Sequence, residues 1–349
     1  MQVQRIAILS PGEMGHSVGR CLLAGGFDVA TCLTGRSERT RTLTTAAGIR
    51  DEPDLDELVR NADLILAILV PDQARALAGQ VAEVMKRTAP SRGTGSPPAY
   101  ADCNAISPES SREIDRVITA AGGHFIDAGI IGGPPGADEK TRFYASGPHE
   151  AILTQLDGYG ILVRPLGGEV GRASGIKMCY ASVTKGTAAL HAAALTAAEV
   201  MGLSEELLAE FAESQSQRLK AMGGVNSLSA KAFRWIGEMR EIAATYERAG
   251  VSPGFHEGAE HIFRLIAESP IGHERPETVD RDRTLEESVA IFADEARRRA
   301  RDAARRSRDS TKGSAPSHRS RPSAYRSAAS TGSGSSPRWT PPDGTAWWP

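Results

Sequence analysis

The sequence predicts an α/β domain followed by an all-α domain and a disordered C-terminal tail. Up to about Leu166, short apolar runs of strand length alternate with helical stretches, the pattern of a mainly parallel sheet with crossover helices. From Ala173 Ala-rich helical sequence takes over, and no strand pattern returns. Beyond about Ala304 the chain turns to Ser, Pro, Gly, Arg and Thr, too poor in apolar side chains to offset its ordering entropy. A chain of 349 residues is long enough for two cores, and the expected divisions are 1–166, 167–304 and 305–349.

Each element has a local reason. The strand candidates are Arg5 to Leu9, Asp28 to Leu33, Leu64 to Val70, Tyr100 to Asp102, His124 to Ile126, Thr141 to Ala145 and Ile161 to Pro165. Between them, helices are expected to begin near Gly15, Glu38, Asp54, Asp72 and Pro108. Asp54 stands as an N-cap with Glu57 at the third helical position, and Ser107 caps a helix that opens with Pro108. Ala89 to Ala99, rich in Pro, Gly and Ser, reads as a longer surface loop. Ala173 to about Met201 contains no proline and makes one helix of ~40 Å at ~1.5 Å per residue, long enough to leave one domain and form the core of the next. Further helices fit Glu205 to Met222, Ser229 to Ala249, Gly254 to Glu268 and Leu285 to Arg305.

Composition excludes several classes of function. With 41 Lys and Arg against 43 Asp and Glu, the net charge is −2, so no global field draws the chain to nucleic acid or an acidic membrane. The arginines from Arg297 to Arg308 are interleaved with Asp294, Glu295, Asp302 and Asp309, as on a solvated helix end. Cys21, Cys32, Cys103 and Cys179 are scattered without a CxxC pair or zinc spacing, which reads as reduced thiols. No stretch approaches the roughly 20 apolar residues of a membrane span. Met1 leads into a strand pattern without the marks of a signal peptide. The expectation is a soluble, cytoplasmic protein with no metal, membrane or nucleic-acid partner.

The first strand runs into Ser10-Pro11-Gly12-Glu13-Met14-Gly15 at the head of a helix. A diphosphate needs backbone N–H groups at a helix N-terminus with no Cβ in the way, which glycines after the first strand of a βαβ unit provide. Gly12 and Gly15 occupy the second and third glycine positions of G-x-G-x-x-G, and Ser10 takes the first. Strand, turn, helix and strand over residues 5–35 supply the context of a Rossmann fingerprint. Where the second strand ends, no Asp or Glu waits for the ribose 2′-hydroxyl of NAD. Thr34-Gly35-Arg36-Ser37 instead offers a guanidinium and a hydroxyl, groups that hold a 2′-phosphate, so NADP(H) is the expected cofactor and NAD(H) the second choice. An exposed arginine in an ordinary turn is the competing reading.

The turn Gly12-Glu13-Met14-Gly15, the segment Ile68-Leu69-Val70-Pro71, the segment Asp102-Cys103-Asn104-Ala105-Ile106-Ser107-Pro108 and the run Phe125 to Gly133 occur in the order seen in β-hydroxyacid dehydrogenases. That superfamily includes 3-hydroxyisobutyrate, tartronate semialdehyde and 6-phosphogluconate dehydrogenases. Gly171-Arg172-Ala173-Ser174-Gly175-Ile176-Lys177 resembles the start of its long interdomain helix with the catalytic lysine, and the resemblance covers roughly residues 4–200. The helical half looks like the subgroup with a phosphogluconate-dehydrogenase-type C-terminal domain.

The resemblance implies that Ser10, Gly12, Glu13, Met14, Gly15, Val70, Pro71 and Asn104 line the cofactor, together with Arg36 and Ser37. It makes Ile131-Gly132-Gly133 the substrate-carboxylate loop, with Asn104 where the family often has a substrate-contacting Ser, and it implies pairing of helical domains in a homodimer. Free N–H groups in a Gly-Gly turn do hold anions, although an ordinary turn explains the same composition. Lys177, Tyr180, Ala181, Thr184 and Lys185 fall near one helix face, and partial burial of a lysine there suits it to give or take a proton. The family often has Asn four residues after the lysine. This chain has Ala181, and Tyr180, Ser182 or Lys185 are the available substitutes. The reading is therefore hydride transfer between nicotinamide and a small hydroxy or oxo acid, with imine reduction and a catalytically silent NADP-binding or scaffold protein as alternatives. Two other features carry no site: His256 and His261 are five apart on a helix, outside zincin spacing, and read as surface residues, while His191 reads as a packing or interface histidine.

Overall fold

The apolar runs of the first half pair into one eight-stranded sheet in the computed structural model, which describes residues 1–89, 97–136 and 140–312. The strands are β1 (Arg5–Leu9), β2 (Asp28–Thr31), β3 (Arg50–Asp51), β4 (Leu64–Ala67), β5 (Ala99–Asp102), β6 (His124–Ile131), β7 (Arg142–Ser146) and β8 (Leu162–Pro165). Their order is β3-β2-β1-β4-β5-β6-β7-β8, parallel except where β7 turns back on β6. The crossover from β1 outwards to β2 and back to β4 makes a topological switch point, where open α/β sheets bind their ligands. Helices α1 (Glu13–Ala24), α2 (Glu38–Ala47), α3 (Leu55–Asn61), α4 (Pro71–Thr88) and α5 (Pro108–Ala120) connect the strands, and α6 (Glu150–Leu153) precedes β8.

The expected caps form. Asp54 accepts from the Glu57 amide at 2.8 Å, and Ser107 from the Ser110 amide at 3.2 Å with Pro108 at the first helical position. Burial follows the strand pattern on both faces: Ile6, Ile8, Leu64 and Leu66 face one apolar layer, while Ala7, Leu9, Ile65 and Tyr100 face the other. That is why these strands read as continuous apolar runs.

After β8 the chain enters α7 (Arg172–Met201), a helix of about 45 Å at 1.5 Å per residue. It stops at Gly202, whose φ of +72° lets the chain turn while the Leu203 amide reaches back to Ala198. The remaining helices are α8 (Ser204–Ser214), α9 (Ser216–Met222), α10 (Ala232–Arg248), α11 (Gly254–Ala267) and α12 (Leu285–Lys312). They bury Met178, Ala189, Leu195, Met239, Phe263 and Phe292 in a third core.

Several boundaries differ from expectation. The two-residue β3 carries no apolar signal of its own and forms because it pairs with β2. The expected helix from Glu205 to Met222 is two helices, broken at Gln215, whose φ of −145° and ψ of 55° are not helical. The helix expected from Ser229 begins at Ala232, after a 3₁₀ stretch over Gly223–Ser227. Strand β6 runs on to Ile131, because its second half pairs with β7. Helix α12 continues to Lys312, beyond the expected end at Arg305; residues 313–349, like most of the Ala89 to Ala99 loop, lie outside the described residues. His256 is buried, not on the surface, because α11 turns His256, Ala259, Phe263 and Ile266 inward together. No helix among the described residues is long and apolar enough to cross a membrane.

Candidate active site

Register brings the sequence-predicted residues to one end of the sheet. Leu9, Ala67, Asp102 and Asp127 pair side by side across β1, β4, β5 and β6, so the chain leaves the first three strands at one level while β6 runs on past it. Ser10, Ile68 and Cys103 follow the first three at once. Ser10 adopts φ +62°, the only non-glycine residue among those described in the left-handed region, which is why a glycine suits this turn. Gly12 then caps α1 with its backbone alone, whereas α2, α3 and α5 each carry a side-chain cap. A Cβ at Gly12 would meet nothing nearer than the Ser10 carbonyl at 3.9 Å, so the α1 N-terminus is open in front. Gly15 lies against Ile8, and Met14 packs on the sheet core.

Asn104 is held by two bonds. The Asp102 carboxylate accepts from the Asn104 amide at 3.0 Å, and the Asn104 side-chain oxygen accepts from the Leu69 amide at 2.6 Å, just before Val70 and Pro71 start α4. Its Nδ2 is buried without a partner. Burial, reinforced by the charges of Asp127 and Glu241, raises the Asp102 carboxyl to about 7. Ile131 ends β6; Gly132 follows at φ +117°, and the Gly133 carbonyl accepts from Thr141 at 2.7 Å.

Strand β6 grips the start of α7 at three successive levels. The buried Asp127 carboxylate accepts from the amides of Gly171, Ala173 and Ser174 at 2.8, 3.0 and 3.1 Å and from the hydroxyls of Ser111, Ser146 and Ser174. This caps α7 with a full negative charge from another element. Gly129 comes next, where a Cβ would stand 2.8 Å from the Ala173 carbonyl and 2.9 Å from Lys177 Cβ. The Ile130 carbonyl then accepts from Lys177 Nζ at 2.6 Å. Lys177 is half-buried, and desolvation lowers its ammonium from the usual 10.5 to about 8.

Further along the inward face of α7, Lys185 pairs with Glu238 and lies 5.2 Å from the Trp235 ring. Burial, with the charges of Lys177 and Arg234 nearby, holds its ammonium well below the usual range. Ala181 is buried between the two lysines. Tyr180, 46% exposed, points outward and is not brought to Lys177 within the chain. Between β2 and α2, Arg36 follows the turn at Gly35, while Ser37 Oγ caps α2 through the Thr40 amide.

Residues 5–156 match the family model of the NAD binding domain of 6-phosphogluconate dehydrogenase, and residues 198–266 match a domain of unknown function (DUF1932). An uncharacterized 28.5 kDa protein of Methanothermus fervidus is 27% identical over 214 residues, 61% of this chain and 78% of that protein. A solved structure of a conserved protein of unknown function, described as similar to 3-hydroxyacid dehydrogenases, is 29% identical, covers 76% of this chain and 97% of its own, and superposes with a TM-score of 0.54. The 3-hydroxyisobutyrate dehydrogenase of Salmonella typhimurium, 18% identical, covers 83% of this chain and 100% of its own with a TM-score of 0.60, which shows a shared fold. The fold is thus that of the β-hydroxyacid dehydrogenases, and the uncapped turn at Gly12 lies inside the stretch that matches the NAD-binding model.

Sequence reasoning passed over Asp127, Gly129, Glu238 and Arg234. Asp127 carries a signal in hindsight: a charged residue inside an apolar strand must find buried partners. The others depend on which helices meet, and no local pattern records that.

Proposed function

We propose that the protein is a nicotinamide-dependent oxidoreductase of the β-hydroxyacid dehydrogenase type, acting between a hydroxyl and a carbonyl on a small carboxylate-bearing substrate, with Lys177 as general acid/base. The supporting observation is the grip of β6 on the start of α7: Asp127 caps the helix, Gly129 lies against it, and the Ile130 carbonyl holds Lys177, whose proton affinity burial lowers to about 8. The open α1 N-terminus at Gly12 fits the diphosphate, and Ser10, Glu13, Met14, Gly15, Val70, Pro71 and Asn104 stand around it. Arg36 and Ser37 favour NADP(H) over NAD(H). The bound cofactor supplies or takes the hydride. Lys177 delivers a proton to the carbonyl oxygen in reduction and removes it from the hydroxyl in oxidation. Its bond to the Ile130 carbonyl holds the ammonium on the strand that leads into Gly132 and Gly133, whose amides, with Asn104 Nδ2, would receive the carboxylate. Tyr180 belongs to this reading only as a substrate contact at the outer rim. The division into a Rossmann domain, 1–166, and a helical domain, 167–304, belongs to the same proposal. So does a homodimer formed through the outward face of α7.

Lys177→Met keeps the apolar stem and removes the proton. Turnover on any accepted oxo acid should fall by ~10²- to 10⁴-fold, with cofactor affinity unchanged. In the native enzyme, reduction needs the ammonium and should decline as pH rises through about 8, whereas oxidation needs the amine and should rise over the same interval. Near-normal turnover by the variant would reject the mechanism and favour an imine reductase using another donor.

A further inference from the structure

Four charged side chains of alternating sign join the fingerprint turn, α10, the connection after α11 and α2. Glu13, in the fingerprint turn, accepts from Arg234 of α10 at 2.6 Å. Arg39 of α2 grips Glu277, with Nε 3.1 Å from one carboxylate oxygen and Nη2 2.5 Å from the other. Arg39, and more weakly Arg234, hold the Glu277 carboxyl below its usual range, which ties the two pairs into one chain.

Glu277 is presented by the connection between α11 and α12, and that connection is closed at its base. Arg283 makes a bidentate pair with Glu274, both bonds 2.7 Å and both side chains largely buried. Ser229 and Ser288 complete the base, and Arg275 lies 4.2 Å over the Phe233 ring. The base of the loop therefore stays closed whether or not its tip is held. Arg39 is the second residue of α2, three beyond Arg36, in the helix that follows β2, after whose end a Rossmann domain receives the adenosine ribose. A guanidinium fork that holds a carboxylate there is equally shaped for a phosphate monoester, which carries more charge and three acceptor oxygens.

We propose that Glu277 is an internal occupant of the 2′-phosphate site and a determinant of cofactor choice. NADP(H) displaces it from Arg39 and frees the loop tip, whereas NAD(H), with a hydroxyl at that position, leaves the pair closed. This rests on the reading of residues 5–156 as a dinucleotide site with the ribose phosphate near Arg36. Both partners are partly exposed, so the pair is cheap to break and tunes affinity by a factor of about five or less.

The test is equilibrium binding of NADPH and NADH to the full chain. Glu277→Gln should bind NADPH about fivefold more tightly and NADH within about twofold of the native value. In an Arg39→Ala background the same change should do nothing, since the cycle isolates their interaction. Amide hydrogen exchange at residues 277–279 should quicken with NADP⁺ and not with NAD⁺. An unchanged NADPH to NADH ratio in Glu277→Gln, or an equal effect without Arg39, overturns the proposal alone. A native chain that binds neither nucleotide removes the dinucleotide reading and the proposal with it.

Discussion

Lys177 and Asp102 are moved in opposite directions by the same cause, because burial disfavours whichever form is charged. For Asp102 the consequence appears in stability. The folded chain keeps its proton up to about 7, while the unfolded chain releases it near the ordinary 3.8. Between those values the native state binds more protons, so stability falls as pH rises from about 4 to about 7 and stays reduced above that. Asp102→Asn retains an acceptor for the Asn104 amide and removes the charge. It should be more stable than the native chain at pH 8, by on the order of 2 kcal/mol, with the gain shrinking towards pH 4. Urea denaturation at several pH values checks this; a gain independent of pH would mean that Asp102 does not titrate in this window.

At the level of elements, the joint between β6 and α7 holds the site in place. Gly129→Ala would push a methyl against the Ala173 carbonyl and Lys177 Cβ, both backbone-near atoms that cannot turn aside. We expect a loss of roughly 1–3 kcal/mol, with turnover falling more than cofactor affinity, because α7 must back away from the strand. Native stability in the variant would show that the joint yields. How much of this was legible follows from where the information sits. The fingerprint turn, the caps at Asp54 and Ser107 and the start of α7 are written in adjacent residues, and their pattern predicts them to within a residue or two. Lys177 could be named because a motif stands around it. Its clamp could not, since Asp127 and Gly129 acquire their roles only when β6 extends past Ile126 to pair with β7. The burial of His256 likewise comes from Ser182 and Tyr246 on two other helices.

Across the whole molecule, α7 leaves Ile176, Tyr180, Val183 and Leu190 exposed at spacings of three, four and seven, one outward stripe on a helix whose other face is core. If that stripe is the dimer face, the native chain should sediment at twice its monomer mass. Val183→Arg with Leu190→Arg should sediment as a monomer of unchanged helix content, because neither side chain supports the core. A monomeric native chain would assign the stripe elsewhere. The same helix has a mechanical consequence. Because α7 is pinned at its first residues and about 45 Å long, it behaves as a lever with the fulcrum at Asp127. Lys177 lies only five residues beyond Arg172, about 7.5 Å along the rod. A swing of 1 Å at Met201 therefore moves the lysine by about 0.2 Å, so breathing of the helical bundle is geared down before it reaches Lys177 Nζ.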